Sequence, residues 1–146
     1  MLTYITLSEN LEKISEGMFA ECHVLAEITV PNSVTEIEKG AFLNCTALHT
    51  AIIGDGVTTI CEDAFANCAT LQGITLGKSV SFIGKRVFHK CNNILGMICT
   101  SQTPPAVEHL ILPDTVTVYV PQKSAKVYKK AIGWSNYAKQ IKRIKE

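Results

Sequence analysis

Apolar positions recur along residues 2–101 with a period of 23. One column holds Leu2, Leu25, Leu48, Leu71 and Ile94; the next Ile5, Ile28, Ala51, Ile74 and Met97; the third Leu7, Val30, Ile53, Leu76 and Cys99. Further columns are Leu11, Val34, Val57 and Val80, then Ile14, Ile37, Ile60 and Ile83. Phe19, Phe42, Phe65 and Phe88 follow, and Cys22, Cys45, Cys68 and Cys91 close each copy. A fixed period of this length is the mark of a solenoid, in which no copy buries its apolar face alone.

Within one copy the columns predict the local structure. In Leu25-x-x-Ile28-x-Val30 the last two apolar residues alternate with Thr29, as in a strand with one buried face. Pro31, Gly54 and Gly77 end that strand, because Pro lacks a donor and Gly permits a turn. Asn32-Ser33, Asp55-Gly56 and Lys78-Ser79 are turn pairs, and Val34-Thr35-Glu36-Ile37 is a second short extended segment. Ile37, Ala41, Phe42 and Cys45 fall at spacings of 4, 1 and 3, which predicts one face of a short helix.

The expected fold is therefore a right-handed repeat solenoid of short parallel strands with short helical or extended convex segments. Four full repeats start near Leu2, Leu25, Leu48 and Leu71, with a partial one at Ile94, over residues 1–101; a degenerate last turn and a C-terminal α/β cap fill residues 102–146. Stacked coils lie about 4.8 Å apart, so like side chains meet as ladders. The repeat starts so early that no room is expected for an N-terminal cap, and the first strand offers an open edge for pairing with an upstream repeat or a second copy. Near the other end, Pro104-Pro105 interrupts the fifth turn, and Val118-Tyr119-Val120-Pro121 restores the strand signature 21 residues after Met97. Ser124 is placed to cap a helix from about Ala125 to Ile132, with Gly133 as its stop. Trp134 and Tyr137 would cover the core, and Ile141 and Ile144 suit a final short segment.

The pattern L-x-x-I-x-L/V-P-x-S-V-x-x-I-x-x-x-A-F-x-x-C, clearest in PNSVTEIEKGAFLNC, resembles the leucine-rich repeat of the BspA-like (Treponema pallidum type) surface proteins. The tail VTVYVPQKSAKVYKKAIGWSNYAKQIKRI is similar to the way such proteins close. The resemblance implies a surface or secreted protein engaged in adhesion and host-protein binding, and it implies no catalytic site.

Composition narrows the classes further. Hydrophobic residues make up 47% of the chain, enough for a dry core, and the formal charge of +1 argues against a whole-surface binder of nucleic acid. The balance hides a split: residues 1–121 hold 6 Lys/Arg against 12 Asp/Glu, and residues 122–146 hold 8 against one. The basic tail reads as the solvated face of a cap, with docking to an acidic surface or glycan as the alternative. No apolar run approaches the roughly 18 residues of a membrane span, so no membrane insertion is expected. MLTYITLSEN has neither a basic leader nor a long apolar stretch, so no signal peptide is expected.

Candidate chemistry is sparse. The four column cysteines lie in a line, the outer two about 14 Å apart, too far to converge on one metal ion. Their parallel side chains suit disulfides poorly, and buried apolar thiols are the expectation. Cys61 shares a column with Ser15, Glu38 and Gly84, all compatible with exposure, which makes it the candidate reactive thiol. His23, His49, His89 and His109 share no column and set up no pair; Glu12, Glu36, Glu38, Glu62 and Asp63 take outward positions. No metal or cofactor is expected. What remains is the outward side of the strands, with Tyr4, Thr6, Glu27, Thr29, Thr50, Ile52, Thr75 and Ile98 as the candidate face for a protein or glycan partner. Tyr4, Ile52 and Ile98 are apolar where solvation alone favours polar residues. The leading expectation is a non-catalytic binding module. The alternatives are a structural spacer within a larger surface protein and a thiol enzyme or redox element at Cys61.

Overall fold

The structure, a computed structural model, describes residues 4–145. Leu2, the expected start of the first column, lies outside them. Strands β1 (Tyr4–Ile5), β3 (Glu27–Val30), β5 (Thr50–Ile53), β7 (Gly73–Leu76), β9 (Gly96–Cys99), β11 (Thr117–Val120) and β12 (Ile141–Arg143) form one sheet in that order. Strands β2 (Lys13–Ile14), β4 (Glu36–Ile37), β6 (Thr59–Ile60), β8 (Phe82–Ile83) and β10 (Ala106–Val107) form a second. Every pairing between these strands is parallel. The chain is a stack of coils, of which the first five each give one strand to each sheet while β11 and β12 extend the larger sheet alone, and the repeat columns fill the space between.

The pairing register follows the sequence period. Ile28 faces Ala51, Ala51 faces Ile74 and Ile74 faces Met97, all buried. The phenylalanine column forms a continuous stack: ring centroids are 5.4 Å apart for Phe19–Phe42, 5.0 Å for Phe42–Phe65 and 6.2 Å for Phe65–Phe88. The planes of each pair lie within 14° of parallel, set by the coil spacing rather than by the offset that free rings choose.

The segment expected to be a short helix is not one. From Gly40 to Cys45 the backbone N–H groups alternate. Those of Gly40, Phe42 and Asn44 donate to Glu62, Ala64 and Ala66 of the next coil at 3.0, 2.8 and 2.9 Å. Those of Ala41, Leu43 and Cys45 donate three residues back, to Glu38, Gly40 and Phe42. Gly40 and Asn44 take the left-handed conformation, with φ near 60°. A helix would direct all these donors along its own axis; here half of them join coil to coil.

The last third departs from the strict period yet keeps the stack. Pro104-Pro105 does not end the fifth coil, since β10 completes it with a register one residue longer, Ala106 facing Phe82. β11 returns to the main sheet with Val118 facing Met97, at the 21-residue spacing of the sequence. A short helix, α1 (Ala125–Lys130), ends before the expected Ile132. Ser124 does not cap it: its hydroxyl donates to the Gln102 carbonyl at 2.7 Å. Tyr128 and Trp134 are fully buried and meet edge to face at 5.3 Å. Trp134 Nε1 donates to the Pro105 carbonyl and the Tyr128 hydroxyl to that of Ser101, so both polar tips are satisfied as the rings close the core. Gly133, at φ 85°, lets the chain turn where a Cβ would strike Val107.

Candidate functional site

The outward side of the seven-stranded sheet carries two rows of side chains. In the first, Tyr4, Glu27, Thr50, Gly73, Gly96 and Thr117 follow one another rung by rung. In the second, Thr29, Ile52, Thr75, Ile98, Tyr119 and Lys142 do the same. The alternation that buries Ile28 and Val30 turns Glu27 and Thr29 outward, and each coil repeats it. Of the residues expected on this face, Tyr4, Thr6, Glu27, Thr29, Ile52 and Ile98 are exposed, and Thr50 and Thr75 are half-buried by their neighbours. Thr6 lies just beyond the end of β1.

The rows are uneven. Tyr4 is 62% exposed, Ile52 44%, Ile98 38% and Tyr119 39%, which is high for large apolar side chains within a sheet. Beside Thr75 and Ile98 the first row falls away, because Gly73 and Gly96 have no side chain and a Cβ at either would meet nothing within 4 Å. At one end a shallow cavity of about 230 Å3 is lined by Tyr4, Thr6, Glu9, Glu27 and Thr29. At the other a cavity of about 340 Å3 is lined by Ile98, Tyr119, Ile144 and Lys145. The face thus runs from an acidic end to a basic one.

Sequence reasoning missed Tyr119, Lys142, Ile144 and Lys145 as members of this face. The alternation in Val118-Tyr119-Val120 already turns Tyr119 outward. No comparable signal marks Lys142, because β12 comes after the whole cap and lacks the repeat columns.

The remaining chemical groups sort differently. Cys61 is half-buried, and its thiol donates to Glu36 Oε2 at 3.4 Å. Burial, and then the Glu36 carboxylate beside it, push its pKa up to about 11. A raised pKa lowers the thiolate fraction below that of an ordinary cysteine, which argues against the reactive-thiol expectation for Cys61. The column cysteines are free. Cys45, Cys68 and Cys91 each donate to a phenylalanine carbonyl of the preceding coil, those of Phe19, Phe42 and Phe65, at 3.2, 3.3 and 3.0 Å. They are hydrogen-bonded rungs of the core as well as small apolar fillers.

One further expectation, that of the outward acidic residues, is corrected. His89 and His109, which share no column, both line a cavity of about 270 Å3 together with Phe88, Leu110 and Ile111. Among the described residues no three His, Cys, Asp or Glu side chains cluster as metal ligands. Nor are the acidic residues simply outward: Glu36, Glu38, Glu62 and Asp63 are half-buried. Lys13 pairs with Glu36 at 3.4 Å, and Arg86 bridges Glu62 and Asp63. Only Glu12 among them is exposed.

Two parallel sheets joined by short turns, with leucine, isoleucine and phenylalanine ladders between them, define a leucine-rich-repeat solenoid. The model of the BspA type leucine rich repeat region matches residues 1–103 in six copies. The chain belongs to that family. Its fold is similar to the crystal structure of a leucine-rich repeat protein of T. pallidum, with TM-score 0.60 and 22% identity over 91% of this chain and 62% of that one. It is also similar to a leucine-rich repeat protein from Bacteroides ovatus, with TM-score 0.59 and 19% identity over 97% of this chain and 42% of that one. The chain thus spans less than two thirds of the length of either. No curated protein matches it by sequence. Among the described residues no helix is long and apolar enough to cross a membrane.

Proposed function

We propose that the chain is a non-catalytic binding module of a cell-surface or secreted protein, and that it recognises a protein or glycan partner through the outward face of the seven-stranded sheet. The observation that carries this reading is the exposed row of Ile52, Ile98 and Tyr119 on a sheet whose backbone groups are already paired. Folding gains little from such side chains in water, whereas a partner gains from burying them. Membership of a repeat family whose sheets commonly bind proteins supports the reading, as does the surface or secreted role that the family resemblance implies. The raised pKa of Cys61 argues against thiol chemistry as an alternative.

The experiment is a panel of matrix proteins, serum proteins and glycans measured for binding to the chain and to Ile52→Asp/Ile98→Asp. Binding by the parent and its loss in the variant, with the unfolding midpoint unchanged, is the expected result. Undiminished binding by the variant overturns the reading. Binding to no member of the panel favours the spacer role.

A further inference from the structure

The uneven relief of the sheet face bears on what it holds. We propose that the occupant is an extended peptide segment of the partner, laid across the strands with its main chain over Gly73 and Gly96 and an acidic residue toward Lys142 and Lys145. The inference rests on the sheet-face reading above and adds the chemistry of the ligand.

Four observations carry it. First, nothing in the fold calls for glycine at Gly73 or Gly96: neither has a positive φ, and a Cβ at either meets only open space. Glycine in a strand interior weakens the strand, and it marks places where another backbone approaches closely. Second, these two glycines are adjacent rungs of one row, paired to each other, with Thr50 before them and Thr117 after them. From Thr50 to Thr117 is three rungs, about 14 Å, the length of about four extended residues. The threonine hydroxyls at both ends and Thr75 alongside can bond the amide groups that the segment brings in.

Third, the wall of the trough is Thr75 and Ile98 on the strands of the two glycines, continued by Ile52 on the rung before and the ring of Tyr119 on the rung after, the last three exposed. Sugar hydroxyls pressed on two isoleucines lose their water and receive no partner, whereas apolar side chains of a peptide are buried favourably there. That favours a peptide over a glycan. The main chain of the sheet is already paired on both sides at β7 and β9, so the segment lies across the strands rather than joining them. Fourth, the charges along the face are ordered. Glu9 and Glu27 stand at the β1 end, and Lys142 and Lys145 stand around the hollow of Ile98, Tyr119 and Ile144. A bound segment with a carboxylate is thereby oriented, its acidic end toward β12, because the reverse places like charges together.

The test is a library of random linear peptides displayed on phage, selected on the intact folded chain, with the recovered peptides synthesised and their affinities measured. Recovered sequences are expected to carry apolar residues flanked on one side by Asp or Glu. Gly96→Thr is expected to weaken their binding by about tenfold or more while leaving the unfolding midpoint unchanged or raised, since a threonine there meets no neighbour. Lys142→Glu/Lys145→Glu is expected to shift the selected flank from acidic to basic. Peptides without an acidic bias, or full affinity for Gly96→Thr, overturn the proposal. If no linear peptide is recovered although Ile52→Asp/Ile98→Asp abolishes binding to the panel, the sheet face stands and the peptide assignment falls. If the isoleucine variant also binds normally, both fall.

Discussion

A phenylalanine in the middle of the stack has a ring above and a ring below, and one at the end has a single partner. Phe42 and Phe65 are fully buried between neighbours 5.0–6.2 Å away, whereas Phe19 is half-buried and stacks on Phe42 alone. Phe42→Ala or Phe65→Ala is expected to lower stability by about 3–5 kcal/mol, and Phe19→Ala by clearly less. Denaturant midpoints at a common slope check this, and equal losses contradict it. The thiols make a second residue-scale case. Cys61 has its pKa raised from an ordinary 9.0 to about 11; that of Cys68 is raised by its hydrogen bonds with Cys45 and Cys91 and then by burial, and that of Cys99 by burial. The folded state therefore holds these protons more tightly than the unfolded chain does. That contribution to stability is complete below pH 9 and is lost as the pH rises toward 11 and beyond. Melting curves are expected to fall across that alkaline range, and Cys61→Ser to soften the first part of the fall. Alkylation of Cys61 in the folded protein is expected to be slow at neutral pH and to quicken only toward the same pH. Fast single-thiol labelling at pH 7 contradicts the assignment.

At the scale of the element, the glycines in the strands and at their ends divide by what stands against them rather than by φ. A Cβ on Gly54 would sit 2.5 Å from the Val30 carbonyl, and one on Gly77 would meet the Gly54 carbonyl, because successive coils press together at the strand ends. Neither takes a positive φ, so their role is close approach and not the turn freedom the sequence suggests. Gly77→Ala is expected to cost about 1–3 kcal/mol by overpacking. Gly73→Ala, which meets open space, is expected to gain about 0.5–1 kcal/mol. Thermal melts of the two variants should move in opposite directions; a common direction contradicts the packing account. The strands themselves were legible, since alternation and the 23-residue columns name Ile28, Val30 and their equivalents without ambiguity. The turn after Ile37 was not. Apolar spacings of 4, 1 and 3 suit a helix face and equally a run of tight turns. What separates the two is whether alternate donors such as Gly40 N–H find carbonyls on the neighbouring coil, and a single repeat read alone does not contain that neighbour. The left-handed column shows the same limit: glycine announces it at Gly17 and Gly40, but Asp63, Arg86 and His109 hold the same conformation. Asp63 and Arg86 are tied there by their ion pair at 3.0 Å.

At the scale of the whole molecule, the coils form one cooperative stack closed at one end by Tyr128 and Trp134. Trp134→Ala is expected to cost about 3–5 kcal/mol by opening a cavity and orphaning the Pro105 carbonyl; equilibrium unfolding of the variant checks it. The candidate face was half legible. Its first five rungs follow from the columns, which place Tyr4, Glu27, Thr29, Thr50, Ile52, Thr75 and Ile98 on one side. Its basic end is assembled from β11 and β12, which the 21-residue spacing and the intervening cap remove from the pattern. That His89 and His109 line one cavity likewise depends on how the fifth coil seats against the fourth. The central claim is that the outward face of the larger sheet, and no other surface, engages the partner. It is tested most directly by measuring partner affinity for the parent chain, for Ile52→Asp/Ile98→Asp on the face, and for Lys39→Glu/Lys85→Glu on the exposed turns away from it. The account expects the first variant to lose binding and the second to keep it with equal stability. Loss confined to the turn variant, or equal affinity for all three, contradicts it.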